Sequence, residues 1–318
     1  MPIKIQDSLP AQEILEKENI FVMTEFRAMH QDIRPLHMLV LNLMPTKIET
    51  ETQFLRKLSN SPLQVEVEFM QTNSYQPKHV EESHLETFYT VFDEVKDRRF
   101  DGLIITGAPL EFSRFEDVDY WTELCEIMEW SKTHVHCTFH SCWGAFAGLY
   151  YHYGIERVIL DEKISGVYEH RVLKKKSPLF RGFDDVFYMP HSRSCSIRPE
   201  DVAEHPELEV MAVSDESGIA IIKRRDSSQF FVTGHPEYDS KTLKREYERD
   251  LQKGIDPIIP KHYFPDDDPT KKPIVRWFSS GQLLYSNWLN YYVYQSTPYD
   301  VGSIDGHEEH VRDKEDFS

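Results

Sequence analysis

Along this chain, short apolar runs alternate with segments whose apolar residues recur every three to four positions. Leu36–Leu43 reads as a buried strand, and after Pro45 a helical stretch follows from about Lys47 to Leu58, with Ile48, Phe54, Leu55 and Leu58 on one face. Val65–Met70 alternates apolar and charged residues, the period of a half-buried strand. Leu85–Val95 is predicted as a helix, Gly102–Thr106 as a strand running into Gly107-Ala108-Pro109, and Tyr120–Ser131 as an amphipathic helix. Val135–Phe139 is predicted as a strand and Gly144–Tyr151 as a small-residue helix suited to close packing on a sheet. Such alternation implies parallel strands joined by crossover helices. The predicted fold class is therefore α/β: a doubly wound, mostly parallel sheet flanked by helices.

Leu208–Val213, Ile219–Lys223 and Gln229–Thr233 are short strands with turn residues between them, predicting an antiparallel meander at the sheet edge. A helix over Ser240–Lys253, a Pro-rich irregular stretch over Asp256–Pro273 and an aromatic last helix over Tyr285–Tyr294 follow. The chain divides into an N-terminal extension (1–35), one α/β domain (36–300) and a charged tail (301–318) without apolar periodicity, expected to be frayed.

Charge narrows the partners. The 318 residues hold 36 Lys+Arg against 54 Asp+Glu, a net −18, so nucleic acid and anionic membranes would be repelled by most of the surface. The apolar runs fall far short of the roughly 20 residues that cross a bilayer, and no secretory signal is expected. Four cysteines without a Cys-x-x-Cys pair are too few for a disulfide scaffold. A reducing cytoplasm is the expected location, and a nucleophile is a better reading of a special cysteine than a bridge. No Gly-x-Gly-x-x-Gly or phosphate loop is present, so no cofactor is expected. His134, His136 and His140 fall at even spacings along the predicted strand, but a buried strand offers no open ligand position, so no metal is expected either.

The sharpest local feature is His140-Ser141-Cys142-Trp143-Gly144. A strand runs into it and a helix of small residues runs out, the context of a nucleophile elbow at the C-terminal edge of a parallel sheet. The helix N-terminus favours a thiolate at Cys142, and the backbone N–H of Trp143 is a natural oxyanion donor. Elbows usually carry Gly two residues before the nucleophile, where this chain has His140. A thiol nucleophile needs a base and a group that orients the base. Gly234-His235-Pro236-Glu237 follows another strand, with His235 as the candidate base and Glu237 as its orienter.

Cys142 at an elbow with His235-Pro236-Glu237 resembles the class I glutamine amidotransferase architecture. Longer stretches resemble one branch of it, the homoserine O-acyltransferases of bacterial methionine biosynthesis. They are Asn42-Leu43-Met44-Pro45-Thr46-Lys47, Thr106-Gly107-Ala108-Pro109, Gly166-Val167-Tyr168-Glu169-His170, Pro190-His191-Ser192-Arg193, Gly234-His235-Pro236-Glu237-Tyr238-Asp239 and Asn287-Trp288-Leu289-Asn290-Tyr291-Tyr292. The resemblance covers residues 1–299.

It implies that Cys142 forms an acyl-thioester, with His235 as general base and Glu237 as its orienter, in a ping-pong cycle between an acyl-CoA and L-homoserine. It places Lys47 near the oxyanion hole and Lys163, Ser192 and Arg249 around homoserine. Arg249 suits the α-carboxylate, since a guanidinium presents a two-pronged fork. Glu246, three residues earlier on the same predicted helix, is our candidate for the α-ammonium. In this family Glu at the position matching Glu111 goes with acetyl-CoA and Gly with succinyl-CoA. A carboxylate there fills space and repels a succinyl carboxylate, so acetyl-CoA is the expected co-substrate. The pattern departs at Phe146, where Gln is expected. The N-terminal extension and the habits of pathway enzymes lead us to expect a homodimer. The alternatives are a homoserine O-succinyltransferase, a glutamine amidotransferase-type hydrolase using the same Cys–His–Glu, and a non-catalytic protein that keeps a reactive cysteine.

Overall fold

The computed structural model describes residues 3–6, 9–17, 22–24, 34–74, 82–298 and 301–304. The chain opens with β1 (Ile3–Ile5), α1 (Ala11–Lys17) and β2 (Val22–Thr24), then β3 (Leu36–Leu41), α2 (Lys47–Ser59) and β4 (Val65–Gln71). Next come α3 (Glu82–Phe88), β5 (Tyr89–Val91), α4 (Phe92–Val95), β6 (Phe100–Ile105), α5 (Trp121–His134) and β7 (Val135–Ser141). α6 (Trp143–Tyr153), β8 (Val158–Val172), β9 (Val186–Ser196), α7 (Pro199–Ala203), β10 (Leu208–Ser214), β11 (Gly218–Arg224) and β12 (Gln229–Val232) follow. The last elements are α8 (Thr242–Gln252) and α9 (Phe278–Asn287), which runs into a π-helical turn at Trp288–Tyr294.

Among the described residues one sheet of twelve strands has the order β2-β1-β4-β3-β6-β7-β12-β11-β10-β8-β9, with β5 beside β4. Pairing is parallel from β2 as far as β12 and antiparallel from β12 to β9. The period of two divides the buried strand residues between two cores. Met38, Val40, Ile104, Phe139, Phe230 and Val232 pack on one face, against α2, α9 and the π-helical turn. Leu39, Leu41, Leu103, Ile105 and Phe231 pack on the other, beneath α5 and α6. Helices covering both faces go with largely apolar central strands in β3 and β6, whereas β4 keeps the alternation of a half-buried strand.

Several details differ from the sequence reading. The predicted helix over Leu85–Val95 is broken by Tyr89–Val91, which pairs with β4; Tyr, Thr and Val fit a pleated surface better than a helix. His134 closes α5 instead of lining β7, so the three even-spaced histidines do not share a strand. β12 is not at the edge. It lies inside the sheet, parallel to β7, and the outer positions belong to the long hairpin of β8 and β9, which the sequence reading left unassigned. Within the first 35 residues, β1 and β2 extend the sheet beside β4. The Arg99 Nε donates to the Ile304 carbonyl at 2.9 Å; the rest of the charged tail, from 305 on, lies outside the described residues.

Candidate active site

The register of β7 and β12 builds the site. Val232 pairs with Ser141, so the two parallel strands end side by side. The Cys142 N–H donates to the Val232 carbonyl at 2.8 Å, and the His235 N–H donates to the Pro190 carbonyl of β9 at 2.8 Å. The two turns that carry the sulfur and the imidazole are thus pinned by backbone bonds at one sheet edge.

Cys142 has φ +47° and ψ −115°, a backbone conformation that an L-residue adopts only when its surroundings enforce it. What enforces it is close packing of α6 on β6. A Cβ on Gly144 would stand 2.6 Å from the Thr106 carbonyl oxygen and 2.8 Å from that of Ile105. Both obstacles are backbone, so Gly144→Ala is expected to destabilise the fold by about 1–3 kcal/mol. Thermal unfolding reads this as a lowered melting temperature; an unchanged one would mean the elbow does not need that contact. His140 takes the usual Gly position because Gly148 of α6 leaves room for its ring, which stacks on Phe231 at 4.8 Å.

The four cysteines differ in kind. Burial pushes Cys125 up to about 11, Cys195 up to about 12 and Cys137 higher still, so all three stay protonated. Cys142 faces His235, and the ring's Nδ1 meets Glu237 Oε1 at 2.7 Å. Cys142, His235 and Glu237 are about 5% exposed or less. Burial works against a charged ring, but Cys142 and Glu237 outweigh it and raise the His235 pKa well above its ordinary value. An imidazolium stabilised between a sulfur and a carboxylate is the ionised form of a nucleophile–base pair.

Three neighbours of this set escaped the sequence reading. Tyr238 stacks on His235 with ring centroids 4.0 Å apart. Tyr285, at the start of the predicted last helix, interacts with Glu237 from within the aromatic cluster. Lys57, on the buried face of α2, is held down to about 8 by burial against the opposing pull of Glu237. The position of Tyr238 three residues after His235 was a readable signal; Lys57 had none, since a lysine in a helix reads as solvated.

Around this set the structure groups the other candidates in two places. Glu246 accepts from the Ser192 hydroxyl at 2.6 Å and from the Tyr238 hydroxyl at 2.8 Å, one stacked ring away from His235. Asp250 binds the half-exposed Arg249 at 2.8 Å and lies 4.0 Å from Lys163. Among the described residues no side-chain hydrogen bond or ion pair joins the two groups, and Glu246 and Arg249 turn to different partners despite their shared helix.

On the other side, Trp143 opens α6, so its backbone N–H has no intrahelical partner. A side chain at Gly107 would stand 3.6 Å from that nitrogen and 3.3 Å from the Cys142 Cβ, in the space an oxyanion needs. Lys47 likewise opens α2. Its buried ammonium donates to the Asn42 carbonyl, and burial lowers it to about 8 although Glu51 pulls upward. Lys47 and Asn42 line a cleft of roughly 150 Å³ that Pro109, Leu110 and Ser113 line as well. Cys142 does not line it, but the Leu110 carbonyl accepts from the indole of the adjoining Trp143 at 3.2 Å. Glu111 follows on that loop. Phe146, at the departing position, is buried with the Arg193 guanidinium 5.9 Å from its ring, which makes it a wall of the core.

A family model described as homoserine O-succinyltransferase matches residues 2–299. A protein named homoserine O-acetyltransferase from Methanomethylophilus alvi is 56% identical over 96% of this chain and 98% of its own. One of the same name from Acetivibrio thermocellus is 57% identical over 96% of this chain and all of its own. Among solved structures, a glutamine amidotransferase from Thermotoga maritima shares the fold, with a TM-score of 0.53 at 12% identity over 81% of this chain and 98% of that one. Among the described residues no helix is long and apolar enough to cross a membrane. With a match that runs nearly end to end, this chain belongs to the homoserine O-acyltransferase family of enzymes.

Proposed function

We propose that this protein is a cytoplasmic enzyme of methionine biosynthesis that moves an acetyl group from acetyl-CoA to the side-chain hydroxyl of L-homoserine through a thioester on Cys142. The observation that carries the reading is the strained elbow cysteine facing a buried imidazole that Glu237 anchors. His235 takes the thiol proton, and the thiolate attacks the acetyl carbonyl carbon. The Trp143 N–H and Lys47 stabilise the oxyanion. The bond to the CoA sulfur breaks, and that sulfur leaves with the proton from His235. Homoserine then enters, His235 removes its hydroxyl proton, and the oxygen attacks the thioester. Cys142 leaves as thiolate and the cycle closes. Near-complete burial of the three side chains suits a transfer in which water must not replace homoserine.

Homoserine is held by its charged ends. Glu246 offers a carboxylate to the ammonium, with Ser192 beside it, while Lys163 and Arg249 receive the carboxylate once Arg249 is released from Asp250. Glu111 favours acetyl over succinyl. An equimolar mixture of acetyl-CoA and succinyl-CoA with homoserine is expected to give O-acetylhomoserine as the main product by mass spectrometry. Predominant O-succinylhomoserine would overturn the acyl assignment, and glutamine hydrolysis without homoserine acylation would overturn the transferase reading.

A further inference from the structure

The loop after β6 is tied at two points on either side of Glu111. Ahead of it, the Leu110 carbonyl is held by the indole of Trp143, next to the sulfur. Behind it, the Ser113 carbonyl accepts from the Arg157 guanidinium, whose carbon lies 4.2 Å from the Phe115 ring centroid. Glu111 acts electrostatically on two guanidinium groups, those of Arg157 and Arg193, yet among the described residues it forms no ion pair within 4 Å with either.

The two arginines are not equivalent. Arg193 is fully buried and each of its three nitrogens is used: Nε by His191 at 3.3 Å, the terminal two by the carbonyls of Cys195 and Ser217. Arg157 spends one terminal nitrogen on Ser113, while the other, NH1, is buried and meets no acceptor among the described residues. A desolvated guanidinium N–H without an acceptor is costly, and the partner that best satisfies it is a carboxylate.

We propose that Arg157 is a specificity-determining residue: a carboxylate-receiving guanidinium fastened to the loop that carries Glu111, whose charge offsets it. This rests on the acyl-transfer reading above. While Glu111 is present, its charge cancels the attraction of Arg157 for a second carboxylate and repels any acyl donor that ends in one. Without the Glu111 side chain, the unused nitrogen of Arg157 becomes the receptor for the distal carboxylate of a dicarboxylic monothioester. Discrimination then arises from one carboxylate masking one arginine, and steric fit is secondary.

The test compares succinyl-CoA with acetyl-CoA turnover, homoserine saturating, as a ratio within each preparation, so that loss of folded protein cancels. Glu111→Gly is expected to raise the ratio roughly 100-fold, within the range that one hydrogen bond to a charged group contributes. Adding Arg157→Gln should return it to within about tenfold of the parent, with Arg157→Lys in between. If the Glu111→Gly/Arg157→Gln protein keeps the gain, the role of Arg157 is overturned while that of Glu111 stands. If Glu111→Gly gains nothing, both fall. Absence of transfer to homoserine from either donor in the parent would sink the acyl-transfer reading and Arg157 with it.

Discussion

Cys142→Ser is expected to take up no acetyl group from acetyl-CoA, whereas the parent chain gains one per molecule, read by intact mass without homoserine present. Transfer to homoserine should fall by a factor on the order of 10⁴ to 10⁶, the usual loss when a covalent nucleophile is removed. The physical reason is proton affinity. An imidazolium whose charge is supported by Glu237 has a matching anion in a thiolate, and a serine hydroxyl does not ionise in its place. The remaining cysteines offer no bypass, because burial keeps Cys125, Cys137 and Cys195 protonated. An acetyl group found on the Cys142→Ser protein at the parent's level would move the nucleophile elsewhere and end the thioester mechanism.

A second large effect is expected from acid. His140, His170 and His191 are fully buried. Burial holds His140 and His170 down to about 3, and His191 well below its ordinary value with Arg193, His170 and His235 adding to the effect. Because the folded state binds these protons more weakly than the unfolded chain, their contribution is complete above pH 6.5. It is lost as pH falls from there toward 3. By pH 4.5 each of His140 and His170 has withdrawn roughly 2–3 kcal/mol, a large part of the 5–15 kcal/mol typical of a domain. His235 works in the opposite sense, since its raised pKa adds stability below 6.5 that is lost as pH rises through the folded value, but it is one group against three. The melting temperature should therefore fall steeply between pH 6 and about pH 4.5, and His140→Phe, stacked on Phe231, should shift that fall to lower pH. A melting temperature flat across this range would show that these rings take up protons without cost.

The parallel half of the fold was legible because strands buried on both faces are apolar runs separated by helical periodicity, and β3 and β6 have that character. The edge hairpin was not. β8 carries Asp161, Glu162 and Lys163 in its first half, at a register irregularity between Ile159 and Ile164, so the period of two is interrupted there. β9 contains Pro190, which argues against a strand unless it lies at an edge, where no ladder bond is required of it. The elbow could be read from Cys142 and its flanking elements, since strand, turn and helix are contiguous. His235 was a candidate from the turn that carries it, but what brings it to Cys142 is β12 lying against β7 and not at the rim, which local pattern does not give. For the same reason the routes of Glu246 to Ser192 and of Arg249 to Asp250 needed coordinates: helical spacing says which residues share a face, not what faces them.

The shared end of β7 and β12 also dates the birth of reactivity. Those strands are distant in the chain and pair in parallel, the kind of contact that forms late and slowly. Until β12 slots between β7 and β11, Cys142 is an ordinary thiol without an imidazole beside it. Its alkylation rate during refolding would thus serve as a clock for sheet closure, and under the proposed mechanism a nascent chain consumes no acyl donor before its architecture is finished.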